Sequence, residues 1–275
     1  MAEPLARVTA TRVAVGRRRE TSRTVPEEVP VALTYDGTTH AVMMASPADL
    51  EDFAVGFSVT EGKVANASEI AELEIVVHEG GVEARMWLAP GAARRTVERR
   101  RALLGPTGCG LCGIDSLEAA LPEVPVVPDG LRLTAAEVAA AVAALRPAQR
   151  LNAETRAMHA AGFWTPATGL VAVREDVGRH NALDKLVGAL VRGEADASAG
   201  LVLLTSRVSV EMVQKVAVLG APVLAAVSAP TALALRTAAR AGITVVAVAR
   251  EDGFEIFTAP ERIESEQGAP RRAVV

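Results

Sequence analysis

The chain has 275 residues, half of them hydrophobic and only 3% aromatic, with a formal net charge of −4 at pH 7. That length suits one large domain or two smaller ones with a sizeable core, and an apolar fraction rich in alanine and valine implies closely packed helices and buried strands. The acidic balance argues against a dedicated nucleic-acid binder, two cysteines are too few for a disulfide scaffold, and no run approaches the 18 apolar residues of a spanning helix. No apolar leader follows Arg17-Arg18-Arg19, so a reduced, cytoplasmic protein is expected.

Residues 1–24 are polar and arginine-rich and read as a partly ordered tail with a strand near Val13. A smaller α+β region is expected over 25–125. A strand is predicted over 27–35, Asp36-Gly37 is a hairpin turn, and the return strand covers 40–44. A helix then starts at Ser46 as N-cap, with Pro47 in its first turn and Leu50, Phe53, Ala54 and Phe57 at helical spacing. Gly62 ends it. Strands over 73–78 and 82–88 flank Gly80-Gly81. His78-Glu79 reads as surface polarity beside that turn, because no partner ligands accompany it.

The region closes on Gly105-Pro106-Thr107-Gly108-Cys109-Gly110-Leu111-Cys112-Gly113, which holds both cysteines of the chain and four glycines. Such a loop bends freely. A short helix is predicted over 114–121, and its unpaired N–H groups would lower a nearby thiol pKa. Five arginines between Arg94 and Arg101 would stabilise a thiolate or draw in an anion. The competing reading is a solvated basic face beside a tight turn with two incidental cysteines.

Three prolines in 122–128 mark a domain edge, and an α/β domain is expected over 126–262, followed by a tail over 263–275. Thr134 to Glu137 is a capping box, with Val138, Val142 and Leu145 on the apolar face behind it and Pro147 at the helix end. A helix carrying His159 is predicted over 152–162. Strands over 170–174, 201–204, 223–227 and 243–249 then alternate with helices over 181–190, 210–219 and 231–241. This pattern predicts a mostly parallel sheet covered on both faces, with ligands at the carboxyl ends of its strands. Those ends are polar and lack a Gly-x-Gly-x-x-Gly or Walker loop. The densest, from Arg174 to Lys185, carries two acids, Arg179 and His180 directly after a buried strand and reads as a site. The competing reading is a capped helix start with surface ion pairs.

The sequences Thr107-Gly108-Cys109-Gly110-Leu111-Cys112-Gly113, Glu175-Asp176-Val177-Gly178-Arg179-His180-Asn181-Ala182-Leu183-Asp184-Lys185 and Ser209-Val210-Glu211-Met212-Val213-Gln214-Lys215 resemble the signatures of the FdhD family, the formate dehydrogenase accessory sulfurtransferases. Ala226-Val227-Ser228-Ala229-Pro230-Thr231, and Ala54-Val55-Gly56-Phe57 followed by Glu61-Gly62, fit as well. The matches run from about residue 28 to 260 in the family's order. The long central motif is highly specific, whereas Cys-x-x-Cys alone is not. One departure is Arg156-Ala157-Met158, where many members have glycines shortly before the histidine matched by His159.

The resemblance implies a sulfur carrier that takes persulfide sulfur from a cysteine desulfurase and delivers it to the molybdenum or tungsten bis-molybdopterin guanine dinucleotide cofactor of formate dehydrogenase. It also implies a homodimer and a larger domain similar to the cytidine deaminase fold, a three-layer α/β/α arrangement. The deaminases' His-x-Glu and Pro-Cys-x-x-Cys zinc set is missing from this sequence, so deamination is not expected, and no permanent metal is expected either. Cys109 and Cys112 are the expected carriers. The family's nucleotide segment maps onto Val248-Ala249-Arg250-Glu251-Asp252-Gly253, with Arg179, His180 and Ser206 as further candidates for the same pocket. The residues alone leave three rivals open: a thiol–disulfide oxidoreductase, a zinc site shared across a dimer, and a chaperone that only holds the cofactor.

Overall fold

The computed structural model describes residues 2–92, 123–250 and 253–264. Within them lie a two-stranded ribbon, a four-stranded sheet, a six-stranded sheet and a short two-stranded ladder. The ribbon pairs β1 (Leu5–Ala14) with β2 (Arg17–Pro26) in unbroken antiparallel register. Its two-residue turn uses Gly16 at φ +72°, a conformation glycine adopts without strain. This corrects the expectation of a partly ordered tail. The Thr and Val residues between the arginines favour extended backbone, and Arg23 Nη2 ties β2 to the Thr155 carbonyl at 3.5 Å.

The four-stranded sheet has the order β4-β3-β6-β5. It is built from β3 (Val29–Tyr35), β4 (Thr38–Ala45), β5 (Ile70–His78) and β6 (Gly81–Leu88). Asp36 and Gly37 both take positive φ, as the tight hairpin predicted from the sequence demands. Val31, Leu33 and Tyr35 alternate inward beside Ala84, Met86 and Leu88. The helix that packs there, α1 (Leu50–Thr60), begins four residues later than Ser46. Ser46 is fully buried, and its hydroxyl accepts from the Val177 N–H at 3.2 Å instead of capping the helix.

The six-stranded sheet has the order β13-β12-β11-β10-β8-β9. Its strands are β8 (His159–Thr165), β9 (Gly169–Asp176), β10 (Leu201–Leu204), β11 (Val223–Ala226), β12 (Thr244–Arg250) and β13 (Gly253–Ile256). The α/β class holds, in a mixed form. Strands β10, β11 and β12 are parallel, while β8, β9 and β13 join antiparallel. Alternate residues face different layers. Val202, Leu204, Leu224 and Val245 pack under α4 (Arg179–Arg192), α5 (Val210–Leu219) and α6 (Ala232–Ala241). Leu201, Leu203, Val223 and Val246 pack under α2 (Ala135–Ala148) and Leu133. Thr134 closes the predicted capping box with Glu137. The short ladder pairs β7 (Leu133–Thr134) with β14 (Ile263–Glu264), and a short α3 (Arg150–Thr155) precedes β8.

The helix expected over 152–162 is therefore wrong in its second half. It ends at Arg156 in the left-handed conformation, and His159 opens β8. The hydrogen bonds of Ala160 with Thr205, and of the following residues with β10, outweigh helix propensity there.

The two main sheets share one core, because α1 and α4 touch backbone to backbone. A Cβ on Gly56 would stand 1.7 Å from the Asp184 carbonyl oxygen, and one on Gly188 would stand 1.8 Å from that of Asp52. Only glycine on each helix permits this approach.

Candidate functional site

The carboxyl ends of β9, β10, β11 and β12 lie along one edge of the six-stranded sheet, where α4, α5 and α6 begin. The amino end of β8 joins them through the pairing of His159 with Asp176. The loops after β10 and β11 are zipped together by bonds from Val208 N to the Ala229 carbonyl and from Thr231 N to the Val208 carbonyl. A rigid edge of this kind holds side chains in fixed positions.

Most of the charged segment from Arg174 to Lys185 holds the fold together. Glu175 caps α3, accepting from the backbone of Leu151 and Asn152 at 2.8 Å each. Asp176 accepts from the backbone of Ser46 and Gly178 and pairs with Lys185 at 2.7 Å, both side chains being fully buried. Asn181 reaches the Met44 carbonyl. Asp184 accepts from Thr60 and from Lys215 Nζ, at 2.9 Å for the nearer of two contacts with that ammonium. Lys215 also meets Glu61 and lies over the Phe57 ring. Burial opposes its charge, but Asp184 and Glu61 outweigh burial and raise its pKa.

Arg179 and His180 are the exceptions. Arg179 Nε and His180 Nε2 are buried without a hydrogen-bond partner, and so are Ser209 Oγ and Glu211 Oε2 at the start of α5. The four side chains sense one another. Burial, then Arg179 and Lys215, push His180 down to about 4, against the pull of Glu211. Burial alone would raise the Glu211 carboxyl, yet the nearby Ser209 hydroxyl, its own N–H, His180 and Arg179 bring it below its ordinary value. At neutral pH the cluster therefore holds a neutral imidazole and a carboxylate beside a guanidinium. His159 is half-buried on the same edge, its pKa lowered by burial and by Arg179.

The sequence pointed to Arg179 and His180 but gave no site role to Ser209 and Glu211. Their signal was present. A serine N-cap followed two residues later by an acid, directly after a strand-end loop, puts a hydroxyl and a carboxylate at the sheet edge. The other expected pocket residues lie along the same edge. Ser206 is buried and donates to the Arg207 carbonyl at 3.0 Å. Val248 sits in a bulge between Ala247 and Arg250 at φ +53°, an outlying conformation for a β-branched residue. Ala249 is buried, Arg250 donates to the Val227 and Ala249 carbonyls, and Gly253 opens β13 at φ +153°. Cys109, Cys112, the arginines from Arg94 to Arg101, the predicted helix over 114–121, Glu251 and Asp252 lie outside the described residues. Among the described residues, no group of three or more His, Cys, Asp or Glu side chains is placed to hold a metal ion. None of their helices is long and apolar enough to cross a membrane.

Comparison with known proteins meets this geometry from the other direction. A sulfur carrier protein FdhD from Agrobacterium fabrum is 57% identical over 261 residues, covering 94% of this chain and 95% of that protein. The protein of the same name from Bordetella petrii is 48% identical over 250 residues, covering 90% of this chain and 89% of its own. A crystal structure from Desulfotalea psychrophila, described provisionally as a formate dehydrogenase accessory protein, superposes with a TM-score of 0.75 at 27% identity, over 95% of this chain and all of that one. The model of the FdhD/NarQ family matches residues 26–264. By that match and by these relatives, the chain belongs to the FdhD/NarQ family.

Proposed function

We propose that this protein is a sulfur carrier in formate dehydrogenase maturation, moving sulfur from a cysteine desulfurase to the molybdenum cofactor. One conjunction carries the reading. Proteins named as sulfur carriers resemble this chain along nearly its whole length, and its only two thiols stand among glycines with two residues between them.

In the proposed chemistry, the Cys109 thiolate attacks the outer sulfur of a desulfurase persulfide. A new S–S bond forms at Cys109, the old one breaks, and the desulfurase thiolate leaves. Delivery then takes one of two routes. Cys112 holds a second persulfide, or its thiolate attacks Cys109 Sγ, releasing the outer sulfur as sulfide and leaving a disulfide that an external thiol reduces. The cargo, a bis-molybdopterin guanine dinucleotide, is a large anion suited to the strand-end edge, with its nucleotide assigned to residues 248–253. Oligomerisation as a homodimer and a cytoplasmic location belong to the same reading.

The test is activation of formate dehydrogenase by the double variant Cys109→Ala, Cys112→Ala in a reconstituted system. Loss of activation supports the carrier. Full activation overturns it in favour of a chaperone that only holds the cofactor.

A further inference from the structure

The ribbon of β1 and β2 contributes no side chain to the hydrophobic core. Its register sorts its side chains onto two faces. Arg7, Arg18 and Glu20 fall on one. Arg12, Arg17, Arg19 and Arg23 fall on the other, among small or β-branched residues and with no acid. Arg12 stands directly opposite Arg19, a like-charge pairing that costs a ribbon stability. Residues 11–20 are all exposed, and among the described residues Arg12, Arg17 and Arg19 have no hydrogen bond or ion pair. A repulsion that the fold leaves uncompensated on an open face points to an anion supplied from outside.

The base of the ribbon fixes where that anion stands. Arg23 donates to the Thr155 carbonyl at the end of α3, and Glu175, at the carboxyl end of β9, caps the start of the same helix. On the other side β2 leads into β3. The first residue of β3 pairs with Ala45, and the neighbouring Met44 carbonyl accepts from Asn181 in the first turn of α4. The basic face therefore rises beside the strand-end edge to which the cargo is assigned. A molecule that takes cargo from that edge approaches past the arginines.

The partner's chemistry follows from the charges. Six of the 29 Lys and Arg side chains and one of the 33 Asp and Glu side chains lie in the ribbon, so the ribbon is net +5 and the rest of the chain net −9. A long polyanion such as a nucleic acid would be drawn by the ribbon and repelled by the body, and the ribbon has no aromatic side chain for a base to stack on. A patch of carboxylates on a folded protein matches the face in extent and sign, and arginine forks pair with carboxylates through two bonds at a time.

We propose that the basic face of the ribbon is a docking arm for an acidic surface on the protein that receives the cargo. The arm rests on the carrier reading above, which makes formate dehydrogenase that recipient.

The test measures binding of the full chain to cofactor-free formate dehydrogenase at about 50 mM and about 500 mM salt, with persulfide loading by the desulfurase as a second readout. Two double variants change the net charge equally: Arg12→Glu with Arg19→Glu on the basic face, and Arg7→Glu with Arg18→Glu on the opposite face. The first is expected to weaken binding by about tenfold or more at low salt, to lose most of that deficit at high salt, and to load sulfur normally. The second is expected to weaken binding by less than about threefold. The first variant keeps like charges opposite each other, so it leaves the repulsion within the ribbon in place, and Arg12→Gln with Arg19→Gln repeats the test should the reversal disturb folding. Equal weakening by both double variants, or by neither, overturns the arm. So does a loss of loading in place of binding, which assigns the ribbon to the desulfurase, or a change in oligomeric state that accounts for the loss, which assigns it to a second copy. Tighter binding to single-stranded RNA or to phosphatidylglycerol vesicles than to the dehydrogenase, dependent on Arg12 and Arg19, overturns it as well. Each of these results leaves the carrier reading standing. A wild type that neither loads sulfur nor binds the dehydrogenase overturns the carrier reading and the arm with it.

Discussion

Two sets of polar side chains lie within a few residues of each other at and around α4 and α5, and they are finished differently. Asp176, Asp184, Lys185 and Lys215 are buried and fully partnered, bridging α1, α4 and α5 across the junction of the two sheets. Arg179, His180, Ser209 and Glu211 stand at the same helix starts with buried atoms unpartnered. The first set spends its hydrogen bonds on the fold. The second leaves hydrogen-bonding capacity unused within the fold. A charge-dense motif can therefore be half scaffold and half site.

The contrast breaks most visibly at Lys185. Replacing it with Met leaves Asp176 buried and uncompensated, so thermal unfolding should show a loss of about 3–5 kcal/mol. The Gly56→Ala variant, which drives a methyl group into the α4 backbone, is expected to lose about 1–3 kcal/mol or more by the same measurement. Glu211→Gln should change stability by less than about 1 kcal/mol, because Oε2 has no hydrogen bond to lose and burial offsets much of the support that Ser209, His180 and Arg179 give the carboxylate. A large loss there would move Glu211 into the scaffold.

His180 sharpens the comparison through pH. Its pKa is depressed from the ordinary 6.5 to about 4 in the folded protein, so the unfolded chain binds more protons between those values. The neutral imidazole contributes no pH-dependent loss above 6.5. As pH falls from 6.5 toward about 4, stability is progressively lost. His180→Asn should flatten that limb of the stability profile, measured by urea unfolding across the range, and an unchanged limb would refute the assignment.

Much of this was legible in the sequence. Alternating apolar strands and helices after residue 169 gave the layered α/β architecture, and Asp36-Gly37 gave the first hairpin of the smaller sheet. Three features were hidden for physical reasons. Arg-Thr-Val alternation in β1 and β2 has strand propensity but no apolar face, so it read as a tail. Ser46 looked like a helix cap because its tertiary partner, Val177, lies 131 positions away. His159 looked helical because the pairing of β8 with β10 and β9 is set by residues far along the chain. For the site, Arg179 and His180 stood out by charge density. Ser209 and Glu211 did not, because their distinguishing property is the absence of a partner, which only the assembled fold displays.

The central claim is that this chain carries sulfur on a cysteine, and intact-protein mass spectrometry after incubation with a cysteine desulfurase and cysteine tests it most directly. The account predicts a gain of about 32 Da, one sulfur atom, on the wild type, reversed by reductant and abolished in Cys109→Ala. No gain on the wild type beside a demonstrably active desulfurase would contradict it.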